Sequence, residues 1–289
     1  MFTDEKGKKW YKVGLHIHTT ISDGKVTPER MARIYKNAGY DAVAMTDHWN
    51  YHDFDKIEDL EIISGCEYNI GSNNTIHDVM HIVGFGMKKD PKIERNAAPQ
   101  AVIDAINGVD GFAVLAHPHW SLNDKSDILP LRGFAAVEIY NAVSEAVMSN
   151  RAYSGYIIDS LANDGMYLPI IATDDAHYYN GHDNTRGFVM VAAKSGSAED
   201  ILAALKAGDF YASQGPHLEV CREGDKIIAR CSPCVTIAFM SNSAWAPDRM
   251  VRGDSVTYAE YTVKDFEKWL RVEVCDRAGN FAWSNIIEL

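Results

Sequence analysis

The sequence predicts an α/β barrel followed by a smaller all-β domain, on three observations. Strand-like and helix-like runs alternate through the first two-thirds of the chain, and the strands are continuously apolar, as in parallel strands covered on both faces. Polar residues follow the ends of at least five of these strands. A barrel gathers strand ends into one ring, whereas an open doubly wound sheet concentrates its site at one switch point. From about Gly215 the texture changes to short β-rich runs separated by turns, which suggests a small sandwich. Domains over 1–214 and 215–289 are therefore expected.

The elements follow in order. Gly14 to Thr20 is a strand ending in His16 and His18, and Ile21-Ser22-Asp23-Gly24 is a turn. Thr27-Pro28-Glu29 reads as an N-cap with proline in the first turn, opening a helix that Gly39 stops. Asp41 to Thr46 is a strand ending in Asp47-His48, Glu61 to Ser64 leads to Glu67, and Val79 to Phe85 is a strand carrying His81. A helix over Pro99 to Val109 precedes the strand Phe112 to Ala116, which ends in His117-Pro118-His119. Ala136 to Tyr140 is a strand, Asn150 to Asn163 a helix, and Leu168 to Ala172 a strand ending in Asp174-Asp175-Ala176-His177. Phe188 to Ala193 and a helix over Ala198 to Ala207 complete the barrel. Beyond Gly215, runs such as Lys226 to Cys231, Val235 to Met240 and Leu270 to Cys275 contain no convincing helix.

The 289 residues can bury a sizeable core. A net charge of -12 argues against an extended nucleic-acid surface, since phosphate backbones are met by an excess of Lys and Arg. A small anionic substrate fits if bound cations supply local positive charge. Met1 to Trp10 is charged where a secretory signal needs an apolar run, and no segment is long enough to span a bilayer, so a soluble cytoplasmic protein is expected. The five cysteines are odd in number and scattered, and Cys231-Ser-Pro-Cys234 has no second pair, so they form no disulfide framework.

Residues two apart on a strand share a face, so His16 and His18 read as half of a metal site. The strand ends add Asp23, Asp47, His48, Glu67, His81, His117, His119, Asp175 and His177, which account for most of the eleven histidines. Any one of these is more often a satisfied turn residue; the concentration is what carries weight. Imidazole and carboxylate without thiolate suit Zn, Mn or Fe, and this many ligands imply more than one ion.

The motifs His16-Ile17-His18 through Ser22-Asp23-Gly24, Thr46-Asp47-His48, Gly65-Cys66-Glu67 with His81, Ala116-His117-Pro118 and Asp175-Ala176-His177 resemble, in order, those of the polymerase and histidinol phosphatase (PHP) superfamily. The resemblance spans about the first 190 residues. It implies a distorted seven-stranded (β/α) barrel with two or three divalent metal ions, usually hydrolysing phosphoesters. Position by position it suggests His16, His18, Glu67 and Asp175 around one ion. Glu67 would bridge to a second ion held by His81 and His117, and a third would sit with Asp23, His48 and His177. The closing stretches resemble members with a small C-terminal β domain, and nothing resembles the additional domains of the DNA polymerases.

The expected reaction is hydrolysis of a small phosphorylated metabolite or nucleotide by metal-activated hydroxide. His48, His119 or His177 would protonate the leaving group. Asn141, Arg151 and Arg186 are candidate substrate contacts, although surface roles suit them as well. The loops from Trp49 to Asp59, Asn69 to Asp78 and Ser121 to Leu131 should shape the pocket. Hydrolysis of a non-phosphate ester or amide, and a metal-loaded binding module, are the competing readings. An extended chain past Ala172 would point Asp175 and His177 the same way and Asp174 elsewhere.

Overall fold

The computed structural model describes residues 1–4, 6–71 and 79–289. The chain opens with β1 (Phe2–Thr3) and β2 (Lys9–Gly14), then α1 (Pro28–Asn37), β3 (Ala42–Ala44), β4 (Lys56–Ile57), β5 (Leu60–Ile63), β6 (Gly65–Ile70) and β7 (Met80–Phe85). There follow α2 (Pro99–Asn107), β8 (Phe112–Leu115), the single turn α3 (Lys125–Ile128) and β9 (Ala136–Asn141). A π-helix over Ser144–Ser149 leads to α4 (Gly155–Asn163), β10 (Ile170–Thr173), β11 (Phe188–Ala192), α5 (Ala198–Ala207) and β12 (Phe210–Ser213). The remainder is β13 (Leu218–Glu223), β14 (Lys226–Ser241), β15 (Met250–Thr262), β16 (Trp269–Cys275), β17 (Phe281–Trp283) and β18 (Ile287–Glu288).

Local chemistry explains the helix ends. The Thr27 hydroxyl accepts from the Arg30 amide, Pro28 occupies the first turn of α1, and Gly39 at φ 78° follows its end. The helix expected from Asn150 starts later, at Gly155. Asn150 is left-handed, at φ 57°, and closes the preceding π-helix instead.

The fold is mixed α/β, but the expected closed barrel is not formed among the described residues. The strands make two sheets: β13-β14-β16-β17-β12-β11-β2-β3-β5-β4, with β1, β15 and β18 attached, and β10-β9-β8-β7-β6. Both sheets contribute to one apolar cluster that includes Val13, Leu15, Ala44, Val83, Val114, Ile171 and Val189. The ring is interrupted at two places. At Ser64 the chain passes from β5 in one sheet to β6 in the other. At Gly187 it runs so close to the end of β10 that a Cβ would lie 2.3 Å from the Thr173 carbonyl oxygen, yet β10 and β11 share no ladder.

Strand direction also departs from the parallel expectation. β2, β3 and β5 are parallel, as are β8, β9 and β10, but β7 runs antiparallel to β6 and β8, and β11 antiparallel to β2. A continuous apolar run reports that both faces are covered, not which way the strand points. The strands after Gly215 join the larger sheet through β12 and β17. β14 unites two runs that read as separate strands, with a register shift between Arg230 and Cys234. No helix of the described residues is long and apolar enough to cross a membrane.

Candidate metal centre

The segments that carry the candidate ligands are laced together by backbone hydrogen bonds just beyond the strand ends. Asp175 N donates to His16 O and His18 N to Ala176 O, so the Ile17 segment pairs with the end of β10. On its other side Thr46 N donates to Ile17 O, and Glu67 N in turn to Thr46 O. Ala116 N donates to His81 O. Side chains from six separate stretches of sequence are thereby held in one place.

Glu67 stands at the centre. Its Oε2 lies 3.1 Å from His16 Nε2, 3.0 Å from His18 Nε2 and 3.2 Å from His48 Nδ1, while its Oε1 lies 2.8 Å from His81 Nδ1 and 3.4 Å from His117 Nε2. Asp175 Oδ1 is 3.3 Å from His16 Nε2 and 3.1 Å from His18 Nε2. Asp23 Oδ2 is 3.4 Å from His177 Nε2 and 3.9 Å from His48 Nε2. Three groups of ligand atoms result, each within 4.8 Å of one another: His16, His18, Glu67 and Asp175; Glu67, His81 and His117; and His18, Asp23, His48 and His177. His18 turns Nε2 to the first group and Nδ1 toward Asp23, 3.6 Å away. A neutral imidazole offers one lone pair, so it serves the first group and leaves the third to Asp23, His48 and His177.

The residues fit metal ions by their chemistry. His16 Nε2, His18 Nε2, His48 Nδ1, Glu67 Oε2 and Asp175 Oδ1 are buried without a hydrogen-bond partner, a costly state that a shared cation relieves. Without an ion the charges adjust among themselves. Burial alone would push the His18 imidazole down, but Asp175 and Glu67 hold it up at about 9, whereas burial brings His48 down to about 4. Burial likewise opposes the charged forms of Glu67 and Asp175, yet the surrounding imidazoles keep both well below the usual carboxylate range.

A supporting layer surrounds these groups, and its Glu138 was missed by sequence reasoning. Glu138, on β9 and 1% exposed, accepts from His16 Nδ1 (2.7 Å), the Thr173 hydroxyl, the His117 amide and the Asn141 amide group. It fixes which His16 nitrogen faces the centre. Its signal was a glutamate inside the apolar run Ala136–Asn141, since a carboxylate there must be paired. Asp47 takes amide and hydroxyl donors from Thr19 and Ser22 and the ring of His52, tying down the turn that presents Asp23.

The other predicted residues divide. Asn141 is fully buried and donates to Glu138 and to Asp175 Oδ2, while its carbonyl accepts from Ser144, so it braces the cluster and has no free end for a substrate. His119 is turned away: the segment after His117 is a turn, not extended, and the His119 ring bonds the Tyr153 carbonyl oxygen. Arg151 is exposed after the π-helix, and Arg186 neighbours the Tyr140 hydroxyl; neither lines the cavity over the cluster. Asp175 and His177 face the centre and Asp174 does not, although Asp175 is left-handed (φ 52°), not extended. Asp174 accepts from Tyr35 and from the amides of Thr185, Arg186 and Gly187, and burial pushes it up to about 6 against those donors. Cys66 packs with Ile103 and Ile106 away from the centre, and burial pushes its thiol up to about 12. Most of the loop from Asn69 to Asp78, including His77, lies outside the described residues.

The cavity over the cluster measures about 230 Å³ and is bounded by the ligand groups together with Asn69, Trp120, Val143, Ser144 and Met148. Among the described residues no Lys or Arg lines it.

Strand ends bring three histidine and carboxylate groups, each able to hold a metal ion, into one cavity. Residues 14–180 match the family described as PHP domain, and the chain belongs to it. It is 28% identical over 162 residues to an uncharacterized protein of Methanocaldococcus jannaschii, covering 50% of this chain and 91% of that one. Its fold is similar to that of a two-domain protein of Bacteroides vulgatus described as containing a predicted PHP-like metal-dependent phosphoesterase. That match has a TM-score of 0.58 and 15% identity and covers 99% of this chain and 98% of that one. A further solved structure is endonuclease Q in complex with a 27-mer duplex substrate, with 16% identity over 69% of this chain and 57% of that one and a TM-score of 0.48. The expectation that the acidic balance argues against an extended nucleic-acid surface does not stand. Net charge is a property of the whole surface, and a local metal centre can face phosphate regardless of it.

Proposed function

We propose that the chain is a metal-dependent hydrolase of phosphoesters. The observation that supports this best is the convergence of five buried, unpartnered ligand atoms from His16, His18, His48, Glu67 and Asp175 beneath an open cavity. One ion is assigned to His16, His18, Glu67 and Asp175, a second to Glu67, His81 and His117, and a third to Asp23, His48 and His177. Bound Zn, Mn or Fe ions would supply Lewis acidity, neutralising phosphate oxygens and making water nucleophilic near neutral pH.

The chain's own residues set the rest. With no Lys or Arg among the described lining residues, the cavity attracts an anionic phosphoryl group only through its bound cations, so activity depends on them absolutely. Glu138 and Asn141 hold His16, His117 and Asp175 in place and keep solvent from their outer atoms. His119 is not available as the acid. His177, whose Nε2 faces Asp23 at the cavity, is the proposed proton donor to the leaving group when the third group carries no ion.

The test is release of phosphate from small phosphorylated metabolites and nucleotides, with nicking of DNA duplexes alongside, by protein reconstituted with Mn or Zn. Cleavage of at least one phosphoester, abolished by chelation, is expected. Cleavage of carboxylic esters or amides alone would transfer the assignment to that chemistry, and a fully loaded protein that cleaves nothing would be a binding module.

A further inference from the structure

A second cavity, of about 310 Å³, lies where the strands after residue 215 meet the π-helix. Its walls include Tyr140, Glu145, Tyr153, Glu273, Phe281 and Trp283. It is separate from the metal centre but shares an element with it. Ser144 and Met148 of the π-helix line the metal cavity, while Glu145 lines this one.

Three rings pack about Trp283 in nearly parallel planes. Phe281 is 5.8 Å from it at 12°, Tyr140 6.1 Å at 19° and Tyr153 6.4 Å at 30°. Every polar hydrogen on these rings is already committed to a carboxylate. The Tyr140 hydroxyl donates to Glu145 (2.7 Å), and the Tyr153 hydroxyl and Trp283 Nε1 donate to Glu273 (2.7 and 2.9 Å). The partly exposed Tyr153 and Phe281 rings and the carboxylate oxygens remain, and both present negative potential.

Two cations lie nearby, and neither enters the cavity. Arg271 is fully buried beneath the cavity and bonds Glu273, but Asp159 holds it through two further hydrogen bonds of 2.7 and 3.0 Å, so its charge is already matched. Arg186 neighbours the Tyr140 hydroxyl and feels the Glu145 charge, but does not line the cavity. Among the described residues no Lys or Arg lines it. An anion or a phosphate-bearing nucleotide would find no lining cation there, only the amides of Asn150 and Gln214 set between two carboxylates. The volume lies at the small end of ligand sites.

We infer that this cavity is a binding site for a small organic cation, an alkylated or quaternary ammonium, held by the Tyr153 and Phe281 rings, which the buried Tyr140 and Trp283 back, and by the Glu145 carboxylate. The combination of aromatic rings with two lining carboxylates and no lining cation is the one that selects ammonium over a neutral molecule of the same shape.

The test is calorimetric titration of the full chain, at constant ionic strength, with choline and with its uncharged carbon isostere 3,3-dimethylbutan-1-ol. Choline should bind saturably and the isostere about tenfold more weakly or worse. Glu145→Gln, which keeps the shape of the side chain and its bond to Tyr140, should weaken choline about tenfold and leave metal content unchanged. Phe281→Leu should weaken it too while preserving the apolar wall. Equal binding of the two probes, no saturable binding, or choline affinity untouched by Glu145→Gln would each overturn the assignment. Loss of choline binding in Asp23→Asn with none in Glu145→Gln would move the cation to the metal centre and overturn it as well.

Discussion

Glu67 turns one oxygen to His16, His18 and His48 and the other to His81 and His117. Glu67→Gln replaces one of those oxygens with an amide nitrogen that cannot ligate. The expected outcome is loss of more than one metal equivalent, read by elemental analysis of the purified protein, and a loss of only one would argue against a bridge. Glu138→Gln tests the layer behind. It leaves every proposed ligand in place but weakens the acceptor that orients His16, and should lower metal affinity about 10–100-fold by chelator competition. Unchanged affinity would reduce Glu138 to a packing role. The two residues differ in how legible they were. Glu67 was found because metal ligands come as a few residue types at the ends of strands. Glu138 was not found because a hydrogen-bond acceptor carries no motif of its own; Asp47 stood among the strand-end candidates, but its role as an acceptor was not legible, since partners such as the His117 and Ser22 amides are backbone groups invisible in a sequence. His119 was misplaced because the alternation that relates it to His117 holds only in extended chain, and His117 itself has φ 26°.

Among the elements, the turn from Thr19 to Gly24 depends on close approach. A Cβ on Gly24 would lie 2.6 Å from both the carbonyl carbon and oxygen of His18, backbone atoms that cannot swing aside. Gly24→Ala should therefore shift the turn that carries Asp23, cost about 1–3 kcal/mol of stability, and empty the Asp23, His48 and His177 group first. Thermal melting and metal stoichiometry measured together check this, and full loading at an unchanged melting temperature would refute it. The same scale shows what a sequence conceals. Helix ends were readable from Thr27, Pro28 and Gly39, whereas the antiparallel course of β7 follows from how the sheet assembles around it. The stretch Ser144–Ser149 was not recognised as a π-helix, since nothing in its composition separates that from an ordinary turn.

For the molecule as a whole, the unmetallated centre makes stability depend on pH in a definite sense. The His18 imidazole titrates at about 9 in the folded protein and at 6.5 when free, so its contribution is fully present below about 6.5 and is lost as pH rises through about 9. Chelator-stripped protein should accordingly melt at lower temperature as pH is raised from 7 to 10. Loaded protein should not follow that fall, because a ligating imidazole has already given up its proton, and loading at pH 7 should release protons measurably. Stripped protein that gains stability over this range would contradict the arrangement. The general architecture, strand ends gathered about one centre, was legible from repeated polar residues after apolar runs. The breaks in the ring at Ser64 and Gly187 were not, because they depend on which strands hydrogen-bond across space.

The pairing of β12 with β17 also bears on the order of events at the ribosome. β12 is synthesised roughly seventy residues before β17, and at ordinary translation speeds that interval lasts about 4–14 s. During that time Phe210–Ser213 has β11 on one side and an open edge on the other, the kind of edge that recruits strands from neighbouring chains. Nascent chains stalled between these two strands should therefore be the ones most dependent on chaperones, and the protection ends when Phe281–Trp283 arrives to cover the edge.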